Sequence, residues 1–421
     1  MTATGLVESM TKASTAAGRR RGIRWPLWLL GISGLLVLVS IVRLVTGAND
    51  ITSSGTTGAA LRLAVPIGLA GLGGLWSERS GVVNIGLEGQ LILGTWFGAW
   101  GAYEFGPWWG VIVGIIGGAL GGLVLAIATV SFGVDHIVAG VAITILGGGI
   151  TRFLSALIFV DTPGGGVTQS PSLPRIGTVT LPGSGVLRDL EQKHWFVVSD
   201  VAGILGGLIT QVSWLTIVAV LLVPLTYLVL WRTKFGLRLR SCGEAPGAAE
   251  SLGVNVYRMK YTAVILSGGF AGLGGAFLSL VATNIYREGQ TNGRGYIGLA
   301  AMIFGNWTPG GTAAGAFLFG YTDSLNLRGE GTAVHALLLV IAIGAFVLSY
   351  IRYRGGHRNA AAVMGLFGLA FLAWFTFTDE VPKDFTGMTP YVATLLVLAL
   401  ASQRLRMPAA DGMRYRRGQS I

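Results

Sequence analysis

A single cysteine, Cys242, stands in 421 residues, and there are only 4 histidines. One thiol cannot form an intramolecular disulfide, a CxxC redox pair or a thiolate metal cluster. So few imidazoles leave little for a catalytic metal, and His136 has no second His or Cys at ligand spacing. Charge is scarce too. Only 12% of residues are charged, about half the roughly 25% of an ordinary soluble domain, which argues against a water-soluble enzyme. No GxxxxGK[ST] phosphate loop, GxSxG elbow or HExxH occurs. The expectation is a chain that is not an enzyme by itself and holds no cofactor or metal of its own.

What is present is apolar surface and glycine. Hydrophobic residues make up 52% of the chain and mean hydropathy is +0.65, as in one polytopic membrane domain with little outside the bilayer. The 67 glycines have no Gly-X-Y period. Inside apolar segments they suit helices that gain by close backbone approach, because lipid supplies no hydrophobic drive between them. Net charge is +11. The basic residues cluster just outside apolar runs, a positive-inside pattern that argues against nucleic acid.

The spacing predicts all-α architecture with about ten to eleven transmembrane helices. Residues 1–25 form a cytoplasmic segment ending in Arg19, Arg20, Arg21 and Arg24. The apolar run 26–46 competes between signal peptide and first span; it is near full spanning length and no A-x-A site follows, so it reads as an uncleaved helix. Further spans are expected at 59–76, 84–103, 108–131, 137–159, 203–231, 261–282, 333–351, 360–378 and 388–403, with a broken pair at 297–306 and 312–328. The polar 161–199 loop then lies outside, and the basic loop 232–260, the segment 352–358 and the tail 404–421 lie inside. This holds only if 297–328 enters and leaves from the outer face as a re-entrant hairpin. The transmembrane core is taken as 26–355, with additional helices over 356–403.

Two short strings recur in order. AGLGG stands at 70–74 and 271–275, and IGLEGQLILG at 85–94 is followed in the second half by IGLAAMIFG at 297–305. The expected topology runs the span at 59–76 inward and that at 261–282 outward, so these are inverted repeats. Such repeats with Gly-interrupted helices place a substrate path at their interface.

Within the apolar runs, Asn84 and Glu88 are four apart and are expected to share a face at the start of a helix. A carboxylate there should face a cavity or a partner; the alternatives are a pair with Arg79 or support of its own helix N-terminus. Glu78 and Arg79 read as an interfacial ion pair or cap. In the second half Asn284, Arg294, Asn306 and Trp307 flank the broken helix, with Asn306 expected where the hairpin turns within the membrane. Trp307 is either an interface anchor or a stacking surface. Arg152, Asp135 and His136 are expected at membrane edges or helix ends, and Asp323 is expected to pair with Arg328 within a helix.

The loop 233–261 reads TKFGLRLRSCGEAPGAAESLGVNVYRMKY. Pro246 suits a helix start and Gly253 a C-terminal cap, with Ala248, Ala249 and Glu250 between them and Glu244 just before. A short helix in a basic loop is either a solvated connector or a docking element for a soluble partner.

This loop resembles the coupling loop of ABC importer permeases. Ala248, Ala249, Glu250 and Gly253 are similar to the EAA…G pattern, although the order differs. SERSGVVNIGLEG at 77–89, FGLRLR at 235–240, AAESLG at 248–253 and GRGYIGLAAMIFGN at 293–306 together resemble the nucleoside, guanosine-type branch of the ribose/branched-chain-amino-acid permease family. The resemblance covers about 60–330. It implies a permease subunit in a bacterial-type plasma membrane, paired with a second homologous permease. It also implies two ATPase subunits that bind ATP and sit on the cytoplasmic loops, and an extracytoplasmic substrate-binding lipoprotein. The Asn, Glu and Trp candidates would then line a path for nucleosides or related purine or ribose compounds. The alternatives are a permease for a simple sugar such as ribose, an ion-coupled secondary transporter, or a scaffold. The sequence assigns no role to the last helices.

Overall fold

The computed structural model describes residues 25–328, 331–381 and 405–418. The span expected at 388–403 and the arginines before residue 25 lie outside the described residues. Among the described residues, the regular structure is helical apart from one two-stranded ribbon, Thr178–Val179 against Val212–Ser213. The helices are α1 (Trp25–Thr46), α2 (Ser54–Glu78), α3 (Leu87–Phe105), α4 (Pro107–Ala126), α5 (His136–Ile158), α6 (Ser184–Gln192), α7 (Val198–Ile209) and α8 (Trp214–Arg232). They continue with α9 (Lys234–Glu244), α10 (Pro246–Ser251), α11 (Val256–Phe277), α12 (Arg294–Phe304), α13 (Pro309–Arg328), α14 (Thr332–Arg354) and α15 (Arg358–Phe377). Eight described helices are long and apolar enough to cross a membrane. The protein is an all-α polytopic membrane protein.

Starts follow local chemistry. Ser53 caps α2 by accepting from Thr56 N, Asp135 caps α5, Ser213 caps α8, Thr233 caps α9 and Asn255 caps α11. Each side chain takes up a backbone donor that has no partner inside its helix.

The centre is α2 packed against α11. A Cβ on Gly73 would lie 2.6 Å from Ser267 O, and one on Gly274 3.1 Å from Pro66 O. These contacts are reciprocal, since the AGLGG match pairs 73 with 274 and 66 with 267. The order of contacts also makes the two helices antiparallel, so the repeat is inverted. Around this axis α11 lies on α4 through Gly268 and Gly272 against Gly118, as α2 lies on α13 through Gly71 against Thr312 and Gly68 against Ala316. Only residues without or with small side chains permit this approach. The second string does not follow the same symmetry. Gly298 abuts Gly71, but the residue that abuts Gly272 is Gly94, not Gly86.

The expected span 203–231 is two helices. The break falls at Thr210–Ser213, where Leu181 N donates to Ile209 O, the ribbon forms, and Ser213 caps a new start. Pairing with the distant 178–179 segment ends α7. That helix instead lies over the start of α2, with Gly207 against Gly58. A buried ion pair fixes α1 there: Arg43 Nε lies 3.0 Å from Asp200 Oδ1, and Asp200 also accepts from Ser40 and Thr52. The helix expected from 84 begins at Leu87.

The re-entrant hairpin is present. α12 starts midway along α2, with Gly298 against Ile67 and Gly71, and its tip at Asn306–Trp307 reaches Glu78 and Arg79. α13 then returns to the first turn of α2, where Arg328 lies against Gly55. α14 and α15 form a peripheral pair. His335 stacks on Phe375 with ring centres 4.5 Å apart, and Ser349 Oγ donates to Ala361 O at 2.6 Å.

Candidate functional site

Glu88 lies in the first turn of α3 and points at the first turn of α12. Its Oε1 accepts from Thr291 Oγ1 at 2.6 Å and Gly293 N at 3.0 Å, and its Oε2 accepts from Gly295 N at 2.7 Å. One buried carboxylate therefore lies at the positive ends of two helices, its own α3 and α12 of the opposite repeat. Glu88 does not pair with Arg79; it stands in the first turn of its own helix, as the other alternative expected, and also supports the opposite repeat's helix. Nor does it share a face with Asn84, which precedes the helix. The Asn84 amide donates to Gln90 Oε1 at 2.9 Å and Ser267 Oγ at 2.8 Å. Both residues are spent on internal bonds that lock the repeats together.

Arg294 holds the approach to α12 through Gln290 O and Thr291 O, and stands 3.9 Å from Asp323. Asp323 thus faces Arg294 rather than Arg328. Asn284 sits in the loop after α11 with φ 55°, and its carbonyl accepts from Leu173 N of the long polar loop.

At the hairpin tip, Trp307 is buried with φ 51°, a costly conformation for a bulky residue. Two interactions offset it. The indole Nε1 donates to Glu78 Oε2 at 2.5 Å, and Trp307 O accepts from Arg79 Nη2 at 2.6 Å. The indole packs with Leu72, Leu75 and Trp76, so it has no free face for a ring to stack on. Asn306 Oδ1 accepts from Arg406 N at 2.7 Å. The turn expected within the membrane is thus placed against the tail, at the loop end of the bundle. Glu78 and Arg79 are not paired with each other either: Arg79 lies 3.9 Å from Glu244. His136 Nδ1 accepts from Val83 N at 3.2 Å and is structural.

The short helix expected in the loop between α8 and α11 is present, preceded by a longer one, α9, that the sequence reading did not expect. Pro246 opens α10, and Gly253 ends it at φ 81°. Val254 N donates to Ala249 O at 3.0 Å and Gly253 N to Glu250 O at 2.8 Å, the paired bonds of a Schellman cap. Pro246 and Ala249 are buried, whereas Ala248, Ser251 and Leu252 face outward, with Leu252 85% exposed. Beneath them, Cys242, Ala249 and Val256 pack on Tyr415 of the tail. Burial pushes the Cys242 thiol up to about 11, which leaves it unreactive at neutral pH.

The tail was the largest omission of sequence reasoning. Residues 405–418 lie along this loop: Ala410 N donates to Gly243 O at 2.8 Å, Ala409 N to Glu244 Oε2 at 3.3 Å, and Arg417 Nε to Glu250 Oε1 at 3.2 Å. Asp411 is buried near Glu78, Lys260 and Arg79, and burial raises its carboxyl to about 7. Hydrogen bonding from Tyr415, Gly418 N and Arg417 holds Glu250 below its ordinary range.

A second surface was also missed. α5 exposes Ile145, Leu146, Ile150 and Phe153, and polar groups stand beside that face, towards α12 and the loop before it. Tyr296 of α12, 42% exposed, reaches Thr144 at 3.5 Å, and Arg152 stands 3.7 Å from Glu288. Arg152 is six residues before the end of α5 rather than at its terminus. Polar groups on an otherwise apolar membrane helix need a cavity or a partner.

Comparison with known proteins agrees with this architecture. The family described as branched-chain amino acid transport system / permease component matches residues 56–348. The guanosine ABC transporter permease protein NupQ of Bacillus subtilis (strain 168) is 33% identical over 369 residues, 86% of this chain and 96% of that protein. The nucleoside ABC transporter permease protein NupC of Lactococcus lactis subsp. cremoris (strain MG1363) is 31% identical over 359 residues, 84% of this chain and 93% of that protein. A putative glucose ABC transporter permease protein, TsgC13 of Haloferax volcanii, is 34% identical over 283 residues, 67% and 80% of the two chains. No solved structure matches the chain. The inverted repeat, the re-entrant pair and the matched span together make the chain a member of the branched-chain amino acid transport permease family, a multi-pass membrane component of an ABC transporter.

Proposed function

We propose that this chain is a permease subunit of an ABC importer that carries nucleosides into the cell. The loop 232–260 is the seat of an ATPase subunit, and ATP is bound and hydrolysed there rather than by this chain. The observation that carries the reading is α10: a capped helix on a basic loop, with Ala248, Ser251 and Leu252 turned outward and uncovered among the described residues. The orientation follows from that seat, with both termini and the loop in the cytoplasm.

The exposed face of α5 and α12 is half of the substrate route. A second permease closes the other half, and a substrate-binding lipoprotein delivers to its outer end. Tyr296, Thr144, Arg152 and Glu288 supply a ring for stacking and groups that bond ribose hydroxyls or base edges. They replace Asn84, Glu88 and Trp307, whose polar groups are occupied within the bundle.

Uptake of labelled guanosine and labelled ribose by intact cells, with and without this gene, tests the substrate. Loss of guanosine uptake alone is the expected result. Loss of ribose uptake alone would move the chain to the simple-sugar branch, which the similarity to a putative glucose permease makes the competing assignment.

A further inference from the structure

α10 is only six residues long, about 9 Å of helix. A stable protein interface needs on the order of 800 Å² from each partner, far more than one and a half turns present. The structure supplies more surface in the same place. A cleft of about 680 Å³ runs between α10 and the tail. Ala245, Pro246 and Ala248 form one wall, and Ala409, Ala410 and Met413 the other. Glu244 stands at one end and the Glu250–Arg417 pair at the other.

The tail's burial pattern shows how it is held. Pro408, Ala410, Asp411 and Tyr415 turn inward, while Met407, Met413, Arg414 and Arg416 remain exposed. The Tyr415 ring packs under α10 on Cys242, Ala249 and Val256, and Lys260 Nζ lies 5.9 Å from the ring centre. The backbone bonds of Ala409 and Ala410 attach the tail to the end of α9, not to the outer side of α10. A lid would cover Leu252, and this tail leaves it bare.

We infer that residues 405–418 are the second wall of the ATPase seat, so that the soluble subunit grips α10 and the C-terminal tail together. The inference rests on the docking role proposed for the 232–260 loop. It adds a partner surface of stated chemistry. The cleft takes an apolar projection of the ATPase, and the three exposed arginines Arg414, Arg416 and Arg417 face acidic residues around it. A lipid surface fits less well, because the apolar residues Ala245, Pro246, Ala410 and Met413 line a concave cleft, which a flat bilayer surface does not fill.

The test uses the full-length chain co-expressed with the other subunits of its transporter, and reads how much ATPase subunit is retained on purification. Met413→Glu and Leu252→Asp both alter exposed side chains, so membrane yield should not change. Each is expected to reduce retained ATPase at least tenfold, and a photo-crosslinking residue at position 413 should join to the ATPase subunit. If Leu252→Asp releases the ATPase while Met413→Glu and a chain ending at 404 retain it, the tail is not part of the seat although the loop is. Retention by every variant would remove the docking role of the loop itself. Tighter ATPase binding by the shortened chain would make the tail a lid. Crosslinking from 413 to the second permease or to lipid alone would also overturn the inference.

Discussion

Glu88 and Glu250 are the same residue type in opposite circumstances. At the centre of the bundle, both oxygens of Glu88 accept from donors at and just before the start of α12. At the loop end, Glu250 meets Arg417, whose side chain is 85% exposed. The buried carboxylate replaces water with three fixed donors, so losing it leaves those donors unmet. The exposed one competes with solvent and exchanges partners at small cost. Polar residues inside this membrane protein therefore hold the two repeats in register. Those at its ends stay available for other molecules.

The largest disruption is expected where there is no room at all. Gly272→Leu puts a side chain where Gly118 Cα lies 2.9 Å from the Cβ position. Overpacking of backbone on backbone should prevent folding, read as loss of monodisperse protein after solubilisation. A well-folded Leu variant would mean that α4 and α11 are not packed glycine to glycine.

Next comes Glu88→Ala. Each of the donors Thr291 Oγ1, Gly293 N and Gly295 N would lose its acceptor, at about 1–3 kcal/mol for each group left unsatisfied. A clear fall in thermal unfolding temperature is expected, and Glu88→Gln should recover part of it. An unchanged melting temperature with uptake lost would return Glu88 to the substrate route.

A smaller effect separates the two ends by pH. The carboxyl of Asp411 is raised by burial to about 7, against about 3.9 for a free Asp. The docked tail therefore binds a proton that a released tail gives up, and docking weakens as pH rises from about 4 through 7. The neighbouring Glu78 carboxyl, Gly412 N, Lys260 and Arg79 offset part of that rise. Proteolysis within 405–418 should be several-fold faster at pH 8 than at pH 6. Asp411→Asn should flatten that dependence, and an equal rate at both pH values in the unaltered protein would show that Asp411 does not govern docking.

Smallest in stability is Arg152→Ala. Its pair with Glu288 is 63% and 36% exposed at the two side chains, and such pairs contribute at most about 1 kcal/mol. The melting temperature should barely move while guanosine uptake falls. No change in uptake would take Arg152 out of the route.

What could be read from the chain alone was what depends on composition and near neighbours. Scarce charge and long apolar runs define a polytopic membrane protein, and basic clusters mark its loops. Pro246 and Gly253 bound a six-residue helix because the missing N–H and the positive φ are properties of those residues themselves. AGLGG announced an inverted repeat because close packing requires the same small residues in both halves. Pairing across distance was not legible. Thr178–Val179 breaks the run at 210–213 from more than 30 residues away, and Glu88 serves a helix whose first residue is Arg294. The tail folds back on Gly243 and Glu250, with Gly418 168 residues on from Glu250. In each case a hydrogen bond or a close contact chooses among many partners of equal local merit, and only the assembled bundle brings one of them within reach.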